Sequence, residues 1–300
     1  MNNYDDIFDD LAQPEQSYQP DAPFDKEVWA TKKQGERASA YELIDRTAES
    51  VAQDSDMFKT YLDVQSRFER YSVGNVLLIA SQKPDAKRIG DFDYWKDQGG
   101  YVKKNEKGIV ILEPGDEYTR DDGSIGVSYN PKKVFDISQT TMRSKMQPQV
   151  NRDERALIKA LVHNASVSII SADELDGVKG AVFDPKKQAI LVRKGMEGED
   201  IFRSFATLLA HAAYANGNPD YRPEQNEFRA YCVSYILCER NSIDTQGYDF
   251  SRLPESFVGM DAQEVRGELA AIRDTANDIS SRMIKALEQR KPVRQQEQER

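Results

Sequence analysis

The fold is decided between Tyr71-Ser-Val-Gly-Asn-Val-Leu-Leu-Ile-Ala80, which runs toward Pro84, and Gly108-Ile-Val-Ile-Leu112. The first stretch is densely apolar with no strand-like alternation, and the proline beyond it closes a helix. The second is a short apolar run bounded by Gly108 and Pro114-Gly115, which reads as a strand. Toward the N-terminus, Ala38, Tyr41, Ile44 and Val51 share a helical face, and Phe58, Leu62 and Phe68 continue on a second helix. Toward the C-terminus, Tyr101-Val-Lys-Lys104, Gly126-Val-Ser-Tyr129 and Lys133-Val-Phe135 prolong the β pattern, with turns at Asn105 and Asp122-Gly123. The first half is expected to be a helical bundle feeding a small antiparallel meander.

The polar stretch Ile137 to Asn151 suits a linker. Beyond it the pattern predicts a helix over 153–166 and a β-hairpin. Its strands are Ala181-Val-Phe and Ala189-Ile-Leu-Val, turned by Asp184-Pro-Lys-Lys. Helices are expected over 201–215, 224–240 and 261–289. In the last, Val265, Leu269, Ile272, Ala276, Ile279, Met283 and Leu287 form a stripe close to a heptad seam. That stripe either packs on its own domain or docks a protein partner; about three heptads are marginal alone. The expected class is α+β. The expected divisions are an acidic disordered tail over 1–24, a domain over 25–140, a linker over 141–152, a domain over 153–289 and a charged tail over 290–300.

Across 300 residues the net charge is −10, but eight acids and one lysine fall in the first thirty residues. That segment carries −7 and the remainder only −3, so the body of the protein is near neutral. A surface that mimics DNA by dense acid is therefore not expected. No run approaches the ~18 apolar residues that span a bilayer, so no membrane partner is expected. The first residues, Met-Asn-Asn-Tyr-Asp-Asp, show no basic or apolar leader pattern, and the expected compartment is the cytoplasm. Cys232 and Cys238 have neither metal-binding C-x-x-C spacing nor the number for a disulfide framework.

Catalytic motifs are scarce. There is no G-x-S-x-G elbow and no glycine-rich phosphate loop before a helix. The two histidines are His163 and His211. His211 lies in Phe205-Ala-Thr-Leu-Leu-Ala-His211-Ala-Ala-Tyr-Ala215, where H-E-x-x-H would need Glu at Ala212 and His at Ala215. One imidazole without the glutamate supplies neither a zinc ligand set nor a general base. No catalytic residue, no metal and no cofactor are expected.

Between residues 67 and 107 cations and aromatics interleave, as single-strand binding requires: cations track phosphates and π-faces stack on bases. Acids are interspersed as well, so an ordinary solvated face fits the same composition. The candidate nucleic-acid contacts are Arg67, Arg70, Tyr71, Asn75, Trp95, Tyr101, Lys103, Lys104 and Lys107.

Three segments carry a resemblance. They are Phe68-Glu-Arg-Tyr-Ser-Val-Gly-Asn-Val-Leu-Leu-Ile79, then Trp95 with Gly99-Gly-Tyr-Val-Lys-Lys-Asn-Glu-Lys-Gly-Ile-Val-Ile-Leu-Glu-Pro114, then Val134-Phe-Asp-Ile-Ser-Gln-Thr140. In this order they resemble the N-terminal domain of the antirestriction protein ArdC family, to which LtrC-like proteins are similar. The resemblance implies a single-stranded DNA-binding module followed by a zincin-like metallopeptidase domain. It implies a vestigial ligand position at His211 and a third-ligand position at Ala230-Tyr231, with Glu227 one helical turn earlier. The expected function is a non-enzymatic single-stranded DNA-binding accessory protein of a mobile genetic element. The alternatives are a scaffold or inhibitor on a pseudo-peptidase fold, docking through the 261–289 helix, and, third, an active metallopeptidase.

Overall fold

Three helices open the chain: α1 (Lys26–Gln53), α2 (Ser55–Arg67) and α3 (Val73–Gln82). The computed structural model describes residues 26–142, 153–173, 175 and 180–289. The tail over 1–24, most of the linker over 141–152 and the tail over 290–300 lie outside the described residues. Helix α2 starts where the Asp54 carboxylate accepts from the backbone N–H groups of Asp56 and Met57, at 2.8 and 3.1 Å. Helix α3 starts at Ser72, whose hydroxyl accepts from Asn75 N–H. Val76, Leu77, Leu78 and Ile79 of α3 are all fully buried, as expected of a helix apolar nearly all round.

The first sheet contains β1 (Ile89–Gly90), β2 (Ile109–Thr119) and β3 (Ile125–Asp136) in the order β1-β3-β2, all antiparallel. Helix α4 (Phe92–Asp97) follows β1. The β2–β3 hairpin is longer than its sequence pattern because a register shift between Pro114 and Glu117 carries the strand past the proline. The stretch Tyr101 to Lys104, read as a strand, makes one bridge, Val102 to Thr140. Strand β2 lies at the sheet edge, and α3 covers it. Asn75 exchanges two hydrogen bonds with the Leu112 backbone, at 2.7 and 2.8 Å. Gln82 does the same with Val110, both at 2.9 Å. Two amides on a helix thus satisfy the groups a further strand would have taken.

The second half comprises α5 (Glu154–Leu161), β4 (Ser168–Ala172), β5 (Ala181–Asp184), β6 (Ala189–Arg193), α6 (Gly198–Ala215), α7 (Pro223–Asn241) and α8 (Ala262–Glu288). The expected hairpin is β5–β6, and β4 joins it in parallel to β6, giving the order β4-β6-β5. Helix α8 opens with a reciprocal cap between Asp261 and Glu264. Its stripe Val265, Leu269, Ile272, Ala276, Ile279 and Met283 is buried in the chain's own core. Of the two readings of that stripe, the structure has the first: it packs on the chain's own core.

The class is α+β, with two small three-stranded sheets among the described residues. One continuous core runs from Ala40 to Ala286 and draws on both halves. Phe58 of α2 meets Phe228, Phe250 and Phe257 at centroid distances of 5.3, 5.9 and 5.7 Å. Arg240 of α7 is almost wholly buried; it donates to the carbonyls of Gln65 and Ser66, each at 3.3 Å, and to Ser280 Oγ at 3.0 Å. A separate small core holds Trp95, Phe135 and Ile137. Among the described residues no helix is long and apolar enough to cross a membrane.

Candidate nucleic-acid interface

The small core positions the turn that holds most of the candidate residues. Asp136 ends β3 fully buried, yet its carboxylate is satisfied. It accepts from the backbone N–H groups of Lys87, Arg88 and Ser138, at 2.7, 3.0 and 2.9 Å. These bonds outweigh burial and hold the carboxyl below the usual range. Gln139 completes the clamp, donating to Glu106 Oε2 at 3.0 Å and to the Lys107 carbonyl at 2.8 Å. Tyr101 and Lys103 are tied to Thr141 and Gln139 through backbone bonds of 2.8 and 2.9 Å. Asn105 takes a left-handed φ of 65°, which closes the turn.

On this turn Tyr101 is 66% exposed. Lys104 and Lys107 are exposed, and among the described residues their ammonium groups make no hydrogen bond or ion pair. Lys103 donates to the Ser138 carbonyl at 2.8 Å, so its ammonium is partly committed. The structure brings these four together.

The other candidates fare differently. Trp95 is fully buried and its indole N–H donates to the Phe135 carbonyl at 2.9 Å. It offers no free face to a base; it is core, because its ring fills the space beneath β3. Asn75 is spent on the edge of β2 and is likewise structural. Tyr71 is half-buried, edge-on to Phe68 at 5.6 Å, and burial pushes its hydroxyl pKa up. Arg67 donates to the Pro84 carbonyl. Arg70 is exposed and, among the described residues, makes no hydrogen bond or ion pair.

Helix α4 adds a surface the sequence pattern did not single out. Its N-cap Asp91 accepts from Tyr94 N–H at 2.8 Å and pairs with Lys132 at 2.9 Å. A Cβ on Gly90 would fall 1.9 Å from the Tyr94 ring, so only glycine lets that ring lie against β1. Arg88 stacks over Tyr94 and Trp95, 5.5 and 5.2 Å from the ring centroids, and donates to the Tyr94 hydroxyl at 2.9 Å. Phe92, at the start of the helix, remains 61% exposed. An aromatic directly after an N-capping Asp was the available signal.

His211 lies on α6, buried. Its Nε2 is 3.1 Å from Glu227 Oε2 and its Nδ1 is 2.7 Å from the Tyr221 hydroxyl. A carboxylate only accepts, so the neutral tautomer that satisfies both bonds has its proton on Nε2, with Tyr221 donating to Nδ1. Burial, with Glu227 and Glu224 nearby, pushes Tyr221 up to about 12 and keeps it a donor. Glu227, one turn before the Ala230-Tyr231 pair, is thus the residue that meets His211. The Tyr231 hydroxyl instead accepts from Asp249 N–H at 2.7 Å. Ala212 and Ala215 are buried apolar positions. Among the described residues no group of three or more His, Cys, Asp or Glu could hold a metal. One imidazole and one carboxylate do not make a zincin ligand set. His163 is half-buried, and its carbonyl accepts from Arg282 at 3.3 Å.

Comparisons with known proteins agree with this organisation. Residues 42–159 match the family model described as the N-terminal domain of anti-restriction factor ArdC. The fold is similar to the Mn(II)-bound crystal structure of antirestriction ArdC protein from R388 plasmid, with a TM-score of 0.51 and 15% identity. That likeness covers 83% of this chain and 97% of the other. The chain is also 24% identical, over 78% of its length, to the uncharacterized protein pXO2-81 of Bacillus anthracis. It spans about half, 49%, of that relative. The resemblance read from the three sequence segments is borne out over the matched domain.

Proposed function

We propose that this protein is a non-enzymatic accessory protein of a mobile genetic element that binds single-stranded DNA, with antirestriction as its cellular use. The observation that carries the reading is the turn from Tyr101 to Lys107. Two lysines there have no partner among the described residues, they stand beside an exposed tyrosine, and a buried clamp fixes the backbone. Side chains held out of internal pairing on a rigid turn suit a phosphate backbone, and the tyrosine ring suits a base. Lys103 contributes charge from its tethered position.

The match of residues 42–159 to the ArdC N-terminal domain supports this reading. The plasmid origin of the structurally similar ArdC supports the mobile-element setting. In the second half, His211 paired with Glu227 and Tyr221 supports a pseudo-peptidase reading, a scaffold in which the hydrolytic machinery is replaced by internal hydrogen bonds. A protein-binding role is the alternative. It is favoured by the outer β2–β3 hairpin, where Tyr118, Ile125, Val127 and Tyr129 are exposed.

The test is titration of the full chain with fluorescent single-stranded and duplex oligonucleotides over a range of salt. Tighter binding to the single strand is expected, with affinity falling by about 0.7 log unit per log unit of salt for each phosphate neutralised. Absence of binding to either form would leave the protein-binding alternative in its place.

A further inference from the structure

We infer that Phe92 is a base-stacking platform that extends the single-strand site from the 101–107 turn across the face of β3, with Lys133 and Lys107 as its phosphate contacts. The inference rests on the single-strand reading above and adds a subsite to it.

Three observations place these residues together. The Phe92 ring lies 4.6 Å from Phe135, tilted by 54°, and most of it stays exposed to solvent. The Phe135 ring in turn reaches Gly108, where a Cβ would stand 3.2 Å from it and 3.2 Å from the Lys133 Cβ. Gly108 directly follows Lys107, so the turn and Lys133 both meet the buried Phe135 ring, the same ring that Phe92 packs against. Lys133 is exposed and its ammonium, like that of Lys107, makes no hydrogen bond or close ion pair among the described residues, although its charge helps to hold the Glu36 carboxyl below the usual range.

The chemistry of this surface selects its occupant. An exposed aromatic ring near two ammoniums that make no hydrogen bond is complementary to a base and its flanking phosphates. A paired duplex keeps its bases stacked and cannot offer one to the ring. Asp91 is neutralised by Lys132, but Asp93 is exposed on the same helix. Charge on α4 therefore adds little attraction, and the contribution of Phe92 comes from stacking. Removing the ring should change affinity without changing the salt dependence.

The experiment compares the full-length parent with Phe92→Ala and Phe92→Trp. Each is titrated with oligo-dT and with an abasic oligonucleotide of equal length, and melting temperatures are measured alongside. Phe92→Ala should bind oligo-dT about tenfold more weakly with the same salt slope, while Phe92→Trp should match or exceed the parent. On the abasic strand all three should bind alike, and the loss of the Phe135 contact should lower the melting temperature of Phe92→Ala only slightly, with the protein still folded at the temperature of the titration. Equal binding of oligo-dT by Phe92→Ala and the parent would overturn the inference while leaving the single-strand reading intact. Equal weakening on both strands would overturn it too, because the ring would then be acting through the fold. Failure of the parent to bind oligo-dT would remove the single-strand reading itself.

Discussion

The surroundings of His211 and the turn from Tyr101 to Lys107 are both polar, and they use their polar groups in opposite ways. Around His211 the groups face one another: Tyr221 on one ring nitrogen, Glu227 on the other. On the turn the backbone is clamped from beneath by Gln139, while the ammonium groups of Lys104 and Lys107 find no partner among the described residues. Internal pairing spends a residue's chemistry on the fold. A cation fixed in place without a partner keeps it for a ligand. The same contrast separates Asn75 and Trp95, candidates by type that the fold consumes, from Tyr101, which it leaves open.

If that contrast holds, substitutions on the paired side should cost stability, and the largest cost should fall where both halves meet. Arg240 is buried, and burial pulls its guanidinium down to about 10, only partly offset by Glu69. Replacing it with Ala strands the Gln65 and Ser66 carbonyls and the Ser280 hydroxyl. A loss of about 3 kcal/mol is expected in denaturant unfolding. A loss under about 0.5 kcal/mol, the level of an ordinary surface change, would break the contrast.

Asp136 sharpens the comparison because it is paired yet supports the unpaired turn. Its carboxyl is held below the usual range, so its stabilising contribution is complete above the unfolded value of about 3.9. It fades as pH falls through the lower folded value. Asp136→Asn turns an amide N–H toward one of three backbone donors and should cost about 2 kcal/mol at neutral pH. The acid limb of the stability profile should flatten in this variant. An unchanged profile would assign the acid sensitivity to another carboxylate.

Much of this arrangement is legible in the sequence, and the exceptions have physical reasons. Helices α2, α3 and α8 announce themselves through apolar spacing and caps, α7 through apolar spacing after Pro223, and β5–β6 through its Asp184-Pro turn. Strand β4 is silent: Ser168 to Ala172 is short, and its parallel partner β6 is not its neighbour in sequence, since β5 lies between them. Helix α4 has six residues, too few for a period to show. Within the site, residue type locates the lysine turn but carries no information on burial. Trp95 and Phe92 look alike in sequence, yet one is fully buried and the other 61% exposed. Glu227 and the Ala230-Tyr231 pair lie one turn apart, and the resemblance points to the pair. The packing of α6 against α7 instead brings Glu227 to His211.

The most direct test of the account is the triple variant Lys103→Ala, Lys104→Ala, Lys107→Ala in the full chain. Its single-strand affinity is to be measured against salt and its unfolding against denaturant. Lys103 has one surface hydrogen bond and the other two have none among the described residues, so stability should change by no more than about 0.5 kcal/mol. Affinity should fall for every strand sequence, and the salt slope should flatten by up to about 0.7 for each phosphate no longer neutralised. Parent-like affinity with a parent-like slope would contradict the assignment of this turn as the site.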